Sequence, residues 1–316
     1  MSFPAPEAHA DWFECRPGSP GYPLLLARIA APPALVVKGR IIPGAPMLAI
    51  VGARRCSPYG EELAYEMAMD LAAGGWTVVS GLARGIDAAA HRGALDAGGA
   101  TIAVMGTGPD MVYPPEHRHL ADRVAASGAL VTQFPAGTAP ARQNFPLRNE
   151  TISGLCIGVV VVEARRRSGA MLTAGSAANQ GRVVMAVPGS VRNPASRGCH
   201  DLLRDGASLV TNAAEVGQES QADPLFRLLA APAAAPSARD SEPAWFEDAR
   251  DAVLDLLQCG NLTLDQLVTG IALPASDVVT AVARLRLDGD VRLRDGTYGI
   301  AASRPSGNKR GTDLVV

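Results

Sequence analysis

Met47 to Leu95 reads MLAIVGARRCSPYGEELAYEMAMDLAAGGWTVVSGLARGIDAAAHRGAL: an apolar run, a tight polar turn, an amphipathic segment, a second apolar run and a second glycine turn. The order is strand, turn, helix, strand, turn, helix. Leu63, Met67 and Leu71 recur at a four-residue spacing and predict one buried helical stripe. Ser57-Pro58 is a start signal for that helix and Gly74-Gly75 a stop. Two short apolar strands separated by such a helix are most economically parallel neighbours in one sheet, so both turns open at the same carboxyl edge. A ligand is expected there.

The alternation continues to Val216, with strand candidates at 48–51, 77–80, 101–105, 129–133, 157–162, 182–187 and 208–211. The fold class is therefore α/β, a doubly wound, mostly parallel sheet over residues 47–216. Ile157 to Val162 (IGVVVV) reads as a central strand buried on both faces. Residues 1–46 are rich in proline and glycine, with a helix-like run around Leu24 to Ile29 and a strand-like run at Leu35 to Val37. They read as a lead-in segment and not as a domain. Residues 217–244, with Pro-Ala repeats and little periodicity beyond Leu225 to Leu229, read as a linker. Residues 245–301 hold three helical patterns, at 246–258, 263–269 and 275–288, then a hairpin through Asp295-Gly296. That is a winged-helix-like pattern for a small C-terminal domain. Residues 302–316 are expected to be a disordered tail.

At 316 residues and 47% apolar content, the chain can bury a full core and carry a second small domain. Its longest apolar runs fall far short of the roughly 20 residues a membrane helix needs, and the N-terminus lacks a charged start followed by an apolar stretch. No membrane span and a cytoplasmic location are expected. Five scattered cysteines without a C-x-x-C pair suggest neither a disulfide framework nor a zinc site. The net charge of −2 excludes a generally basic coat, so any anion site must be a local cluster. Lys38 and Lys309 are the only lysines, so that cluster would be arginine.

The first turn, Gly52-Ala53-Arg54-Arg55-Cys56-Ser57, enters a helix N-terminus, where free N–H groups and the helix dipole favour a phosphate. It lacks the later glycines of a dinucleotide fingerprint, and no acid follows Val79-Ser80, which speaks against NAD. The bland alternative is a plain connection with solvated arginines. The second turn, Ser80 to Asp87, lies beside the first and would reinforce a backbone anion site. Asp87 and His91 sit four apart and could pass for an acid/base pair, but a cap and a core histidine are favoured. His117 and His119 lack a third ligand, so no metal site is expected, and no cofactor either.

The stretch Arg142-Gln143-Asn144-Phe145-Pro146-Leu147-Arg148-Asn149 combines cations, amides and a ring, a mixture suited to single-stranded nucleic acid. The alternative makes Phe145 a core plug and Arg148 a partner for Glu163. Ser168-Gly169 and Pro188-Gly189 end later strands, so five polar turns are expected to converge on one crevice.

These residues, in order, resemble the DNA-processing protein A family (DprA, also called Smf). The resemblance runs through Tyr22-Pro23, Gly52-x-Arg54, Ser57-x-Tyr59-Gly60, Ser80-Gly81-x-Ala83-x-Gly85-Ile86-Asp87, His91 and Tyr113-Pro114. It continues through Asn144-Phe145-Pro146-x-Arg148-Asn149, Val162-Glu163-Ala164, Ser168-Gly169, Thr173-Ala174 and Pro188-Gly189. It implies a Rossmann-like domain that binds single-stranded DNA, forms homodimers and helps load the recombinase RecA during natural transformation and recombination. The implied binding set is Gly52, Ala53, Arg54, Ser57, Ser80, Gly81, Arg142, Asn144, Phe145, Arg148, Asn149, Ser168 and Gly169. Two positions depart from the family pattern: Ala53 replaces a usual hydroxyl residue and Glu150 a common basic one, while Arg142 takes a position often occupied by lysine and retains its charge.

The expected role is thus a non-enzymatic binding protein. A rival reading is an enzyme of the nucleotide phosphoribohydrolase type using the same crevice, although Pro188-Gly189-Ser190-Val191 departs from that family's Pro-Gly-Gly-x-Gly-Thr. A third makes the winged-helix-like unit a duplex-binding regulator. Its last helix, with Asp277, Thr280, Arg284, Arg286 and Asp288, is not strongly basic, which argues against it.

Overall fold

The computed structural model describes residues 11–42, 44–230, 244–288, 290–294 and 296–300, so the expected tail lies outside the described residues. The chain opens with β1 (Trp12–Cys15), α1 (Leu24–Ala27) and β2 (Leu35–Gly39), then enters the alternation with β3 (Met47–Val51), α2 (Pro58–Ala73), β4 (Thr77–Ser80) and α3 (Ile86–Asp96). It continues with β5 (Thr101–Val104), α4 (Arg118–Ser127), β6 (Ala129–Thr132), α5 (Asn144–Leu155), β7 (Gly158–Val161) and α6 (Gly169–Asn179). After β8 (Val183–Ala186), α7 (Arg197–Arg204) and β9 (Ser208–Leu209), two helices follow, α8 (Ala213–Ala222) and α9 (Pro224–Ala230). The C-terminal unit is α10 (Ala244–Gln258), α11 (Leu264–Gly270), α12 (Ala275–Asp288) and the antiparallel pair β10 (Val291–Arg294) and β11 (Thr297–Ile300).

Nine strands form one sheet in the order β1-β2-β6-β5-β4-β3-β7-β8-β9. From β6 to β9 all neighbours are parallel, while β1 and β2 add an antiparallel edge. The expected mostly parallel α/β sheet is therefore the observed one. Period-two alternation sorts the strand side chains between two cores. Leu48 and Ile50 of β3 join α2 and α3 on one face, whereas Met47, Ala49 and Val51 join α5 and α6 on the other. Both cores are lined by residues with essentially no exposure, as a sheet covered by helices on both sides requires.

Two expectations need correction. The lead-in segment contributes β1 and β2 to the sheet, because Leu35 and Val37 are fully buried against β6 and complete its edge. The stretch read as a linker is helical through Ala230: Leu225 is fully buried in the body core, and the Phe226 ring lies 5.4 Å from that of Trp76. The short periodic run Leu225 to Leu229 is thus a helix of the body and not part of a linker. Residues 231–243 lie outside the described residues.

The strand order also places the ligand edge. From β3 the chain winds outward through β4, β5 and β6, then crosses back to β7 on the other side of β3. The switch point between β3 and β7 opens a crevice at their carboxyl ends, where the turns after both strands diverge.

Candidate nucleic-acid interface

The crevice at that switch point encloses about 1100 Å³, open solvent included. The turn after β3 supplies Gly52, Ala53, Arg54 and Arg55; the turn after β7 supplies Arg165, Arg167, Ser168 and Gly169; α5 supplies Phe145, Arg148 and Asn149. Five arginines are among its lining residues, and Asp87 is the one acid among them. Arg54, Arg55, Arg165 and Arg167 are exposed, whereas Arg148 is 4% exposed.

Phe145 is the aromatic floor. Its ring is half-buried, with the Arg54 guanidinium 4.9 Å from its centroid and the Tyr113 ring 6.3 Å away. The ring is therefore not the core plug of the alternative reading. A smaller recess beside it is lined by Gly81, Gly106, Thr107 and Tyr113, so the turn after β5 also reaches the site.

Arg148 donates from Nη1 to the Val104 carbonyl at 3.1 Å. Burial lowers its pKa to about 10, opposed by the nearby Asp87 charge. Its guanidinium fills the space that a Cβ on Gly81 would need, which explains the glycine there. The alternative pairing of Arg148 with Glu163 is not what the structure shows.

Glu163 is instead spent on the first turn. It is 2% exposed and accepts from the Ser57 backbone N–H at 2.8 Å, the Ser57 hydroxyl at 2.6 Å and Asn193 Nδ2 at 3.3 Å. Ser57 is also the N-cap of α2, accepting from the Gly60 N–H at 3.1 Å. The expected anion seat at the start of α2 thus already holds a carboxylate of the chain. The second turn is filled likewise: Asp87 accepts from the Gly81 and Ala83 N–H groups at 3.1 and 3.4 Å. Burial raises its pKa, with Arg148 and those N–H groups opposing. The start of α6 differs, since no cap bond is made by Ser168, and its buried hydroxyl has no hydrogen-bond partner among the described residues.

Of the residues expected from the sequence, Gly52, Ala53, Arg54, Phe145, Arg148, Asn149, Ser168 and Gly169 line the crevice, and Gly81 the recess. Asn149 also donates to the Gly169 carbonyl at 3.2 Å, tying α5 to the α6 turn. Four do not line it. Ser80 is fully buried and donates to the Ile50 carbonyl at 2.7 Å, Ser57 is bound to Glu163, and Asn144 donates to the Gly106 and Ala139 carbonyls at 3.1 and 3.2 Å. Arg142 is exposed, two residues ahead of α5. Pro188-Gly189 also stays outside, the Gly189 carbonyl accepting from His200 Nε2 at 2.9 Å. Sequence reasoning placed Arg55 in the first turn without adding it to the binding set, and passed over Arg165 and Arg167. The signal was present as three successive arginines, Arg165 to Arg167, between an apolar run and Ser168-Gly169.

His91 is a core histidine, as favoured. Thr101 Oγ1 donates to the Val78 carbonyl at 2.7 Å, so His91 Nδ1, 2.8 Å from that hydroxyl, is the donor. Burial lowers its pKa to about 3.

A protein of Mycobacterium tuberculosis named as a DNA processing protein DprA is 40% identical over 264 residues, covering 80% of this chain and 64% of its own length. This chain thus spans somewhat less than two thirds of that relative. The X-ray structure of DNA processing protein A from Streptococcus pneumoniae superposes with a TM-score of 0.64 at 39% identity, covering 66% of this chain and 75% of that one. A Helicobacter pylori DNA processing protein A, described for its single-stranded DNA binding mode, gives a TM-score of 0.60 at 25% identity over 66% of this chain and 94% of its own. The family described as DNA recombination-mediator protein A matches residues 15–221, from the end of β1 into α8 and so through the whole sheet and its crevice; the chain belongs to that family.

Proposed function

We propose that this chain binds single-stranded DNA across the crevice at the β3/β7 switch point. The observation that carries the reading is the gathering of Arg54, Arg55, Arg148, Arg165 and Arg167 on the lining of one crevice that also holds Phe145, with the Arg54 and Arg148 guanidinium groups 4.9 and 5.7 Å from its ring centroid. Guanidinium groups follow phosphates and a ring stacks on bases without reading sequence. A duplex would hide its bases from Phe145. The two inward carboxylates do not oppose a strand, because Glu163 and Asp87 are taken up by backbone N–H groups.

The chain acts as a binding protein and not as an enzyme. It works as a homodimer in recombination and natural transformation and hands the strand to RecA; these three readings rest on family membership and add nothing to the geometry. Titration of labelled oligo-dT and a matched duplex at two salt concentrations tests the binding. Single-strand preference with a steep salt dependence is expected, and equal affinity for both would overturn it. Release of base on incubation with AMP would instead favour the phosphoribohydrolase reading.

A further inference from the structure

Helix α6 crosses the body from the crevice to the opposite edge of the sheet. It starts at Ser168-Gly169 in the crevice and ends at Gln180-Gly181, just before β8 begins. Its end is a Schellman turn: Arg182 N–H donates to the Ala177 carbonyl at 2.9 Å and Gly181 N–H to the Ala178 carbonyl at 3.2 Å, with Gly181 at φ +68°. The Gly181 carbonyl then accepts from Arg286, a residue of the C-terminal unit.

Arg286 is held on its other side by Asp223, Nη1 to Oδ2 at 2.5 Å, with the two side chains 0% and 1% exposed. Asp223 also accepts from the Leu225 N–H at 2.9 Å, which fixes it at the start of α9. Helix α12 carries two buried stripes. Val278, Ala281, Val282 and Leu285 pack in the unit's own core, while Ala283 packs into the body core beside Arg286. A second guanidinium, Arg182, is 4% exposed nearby and donates to the Leu25 and Gly154 carbonyls at 2.9 and 3.3 Å. The cluster therefore holds two cations against one carboxylate at the carboxyl end of α6, the end whose dipole favours positive charge.

We propose that Arg286 makes the C-terminal unit a clamp on the foot of α6, so that docking of the unit and the geometry of the crevice at the other end of α6 are set together. Arg286 is a positioning residue, since the crevice opens at the carboxyl ends of the strands and Gly181 precedes β8 at the amino edge. The unit carries nine acidic against five basic side chains between residues 244 and 300, which suits a part that docks on protein and does not follow a nucleic-acid backbone. Linkage makes the coupling reciprocal: a ligand that orders α6 also favours the docked unit.

The test uses the full chain and compares wild type with Arg286→Met and with Asp223→Asn/Arg286→Met, the pair that leaves no unpaired buried carboxylate should the single variant fail to fold. Amide exchange is expected to rise both in α12 and in residues 173–182 of α6, and affinity for oligo-dT to fall about fivefold or more. Faster exchange in α12 with α6 unchanged would show a docked unit that does not clamp, and would overturn the proposal. Unchanged exchange in both would overturn it too. The affinity arm rests on the single-strand reading and the exchange arm does not, so a wild type that ignores oligo-dT would sink that reading while exchange still decides the clamp.

Discussion

Arg54 and Ser57 stand three residues apart in one turn and answer to different demands. Arg54 is exposed over the Phe145 ring, so Arg54→Ala is expected to weaken single-strand binding by about 1–3 kcal/mol, the range of a charge-assisted contact, with an unchanged melting curve. Ser57 caps α2 and donates to Glu163; Ser57→Ala is expected to cost about 1–2 kcal/mol in urea unfolding and leave affinity as it was. Phe145→Leu is expected to lose about 1–3 kcal/mol of binding with no change in salt slope, because the ring carries no charge. Arg142→Ala, at an exposed position beyond the crevice lining, is expected to lower that slope by roughly 0.7 if the strand runs past α5. His91 carries a pH signature. Its folded pKa of about 3 lies below the ordinary histidine value, so between about pH 6 and pH 3 the unfolded chain binds a proton that the folded one does not. Stability then falls as pH drops through that window, by on the order of 1 kcal/mol per pH unit from this group, and His91→Leu is expected to flatten that dependence in urea titrations run at several pH values.

Helix starts are the recurring element of the site, and the chain fills two of them itself. Glu163 closes the start of α2 and Asp87 the turn before α3, which leaves the start of α6, whose Ser168 hydroxyl has no partner among the described residues, on the same lining as the arginines. Glu163→Ala is expected to leave the half-buried Ser57 N–H and Asn193 amide without this acceptor and to cost about 1–3 kcal/mol in all, read from the urea midpoint. The element boundaries themselves were legible in the sequence, because a parallel strand buried on both faces is a short apolar run and an α/β helix is a stripe with a cap. Ser57-Pro58 and Gly74-Gly75 bound α2 as expected. What no periodicity carries is which N–H groups a distant carboxylate has taken: Glu163 reaches Ser57 across 106 positions of sequence.

At the scale of the molecule, the body continues past the last sheet strand. A chain ending at Gln218 loses Leu225 and Phe226 from the core around Trp76 and is expected to be less stable than one ending at Ala230 by about 2–5 kcal/mol, measured by urea unfolding of the two chains. By itself the sequence determined the α/β alternation, the parallel placement of the strands at 48–51 and 77–80, and the ordered turns Gly52 to Ser57, Ser80 to Asp87 and Asn144 to Asn149 that carry the family. These are local signals, set by side-chain period, glycine turns and caps within a few residues. Only the tertiary structure decided that Ser80 and Asn144 serve the scaffold, that Arg165 and Arg167 join Arg54 at the switch point, and that Arg286 reaches the foot of α6. The reason is physical: a hydroxyl, an amide or a guanidinium has the same chemistry wherever it stands, and whether it meets solvent, a carbonyl or a carboxylate depends on which strands the fold sets side by side.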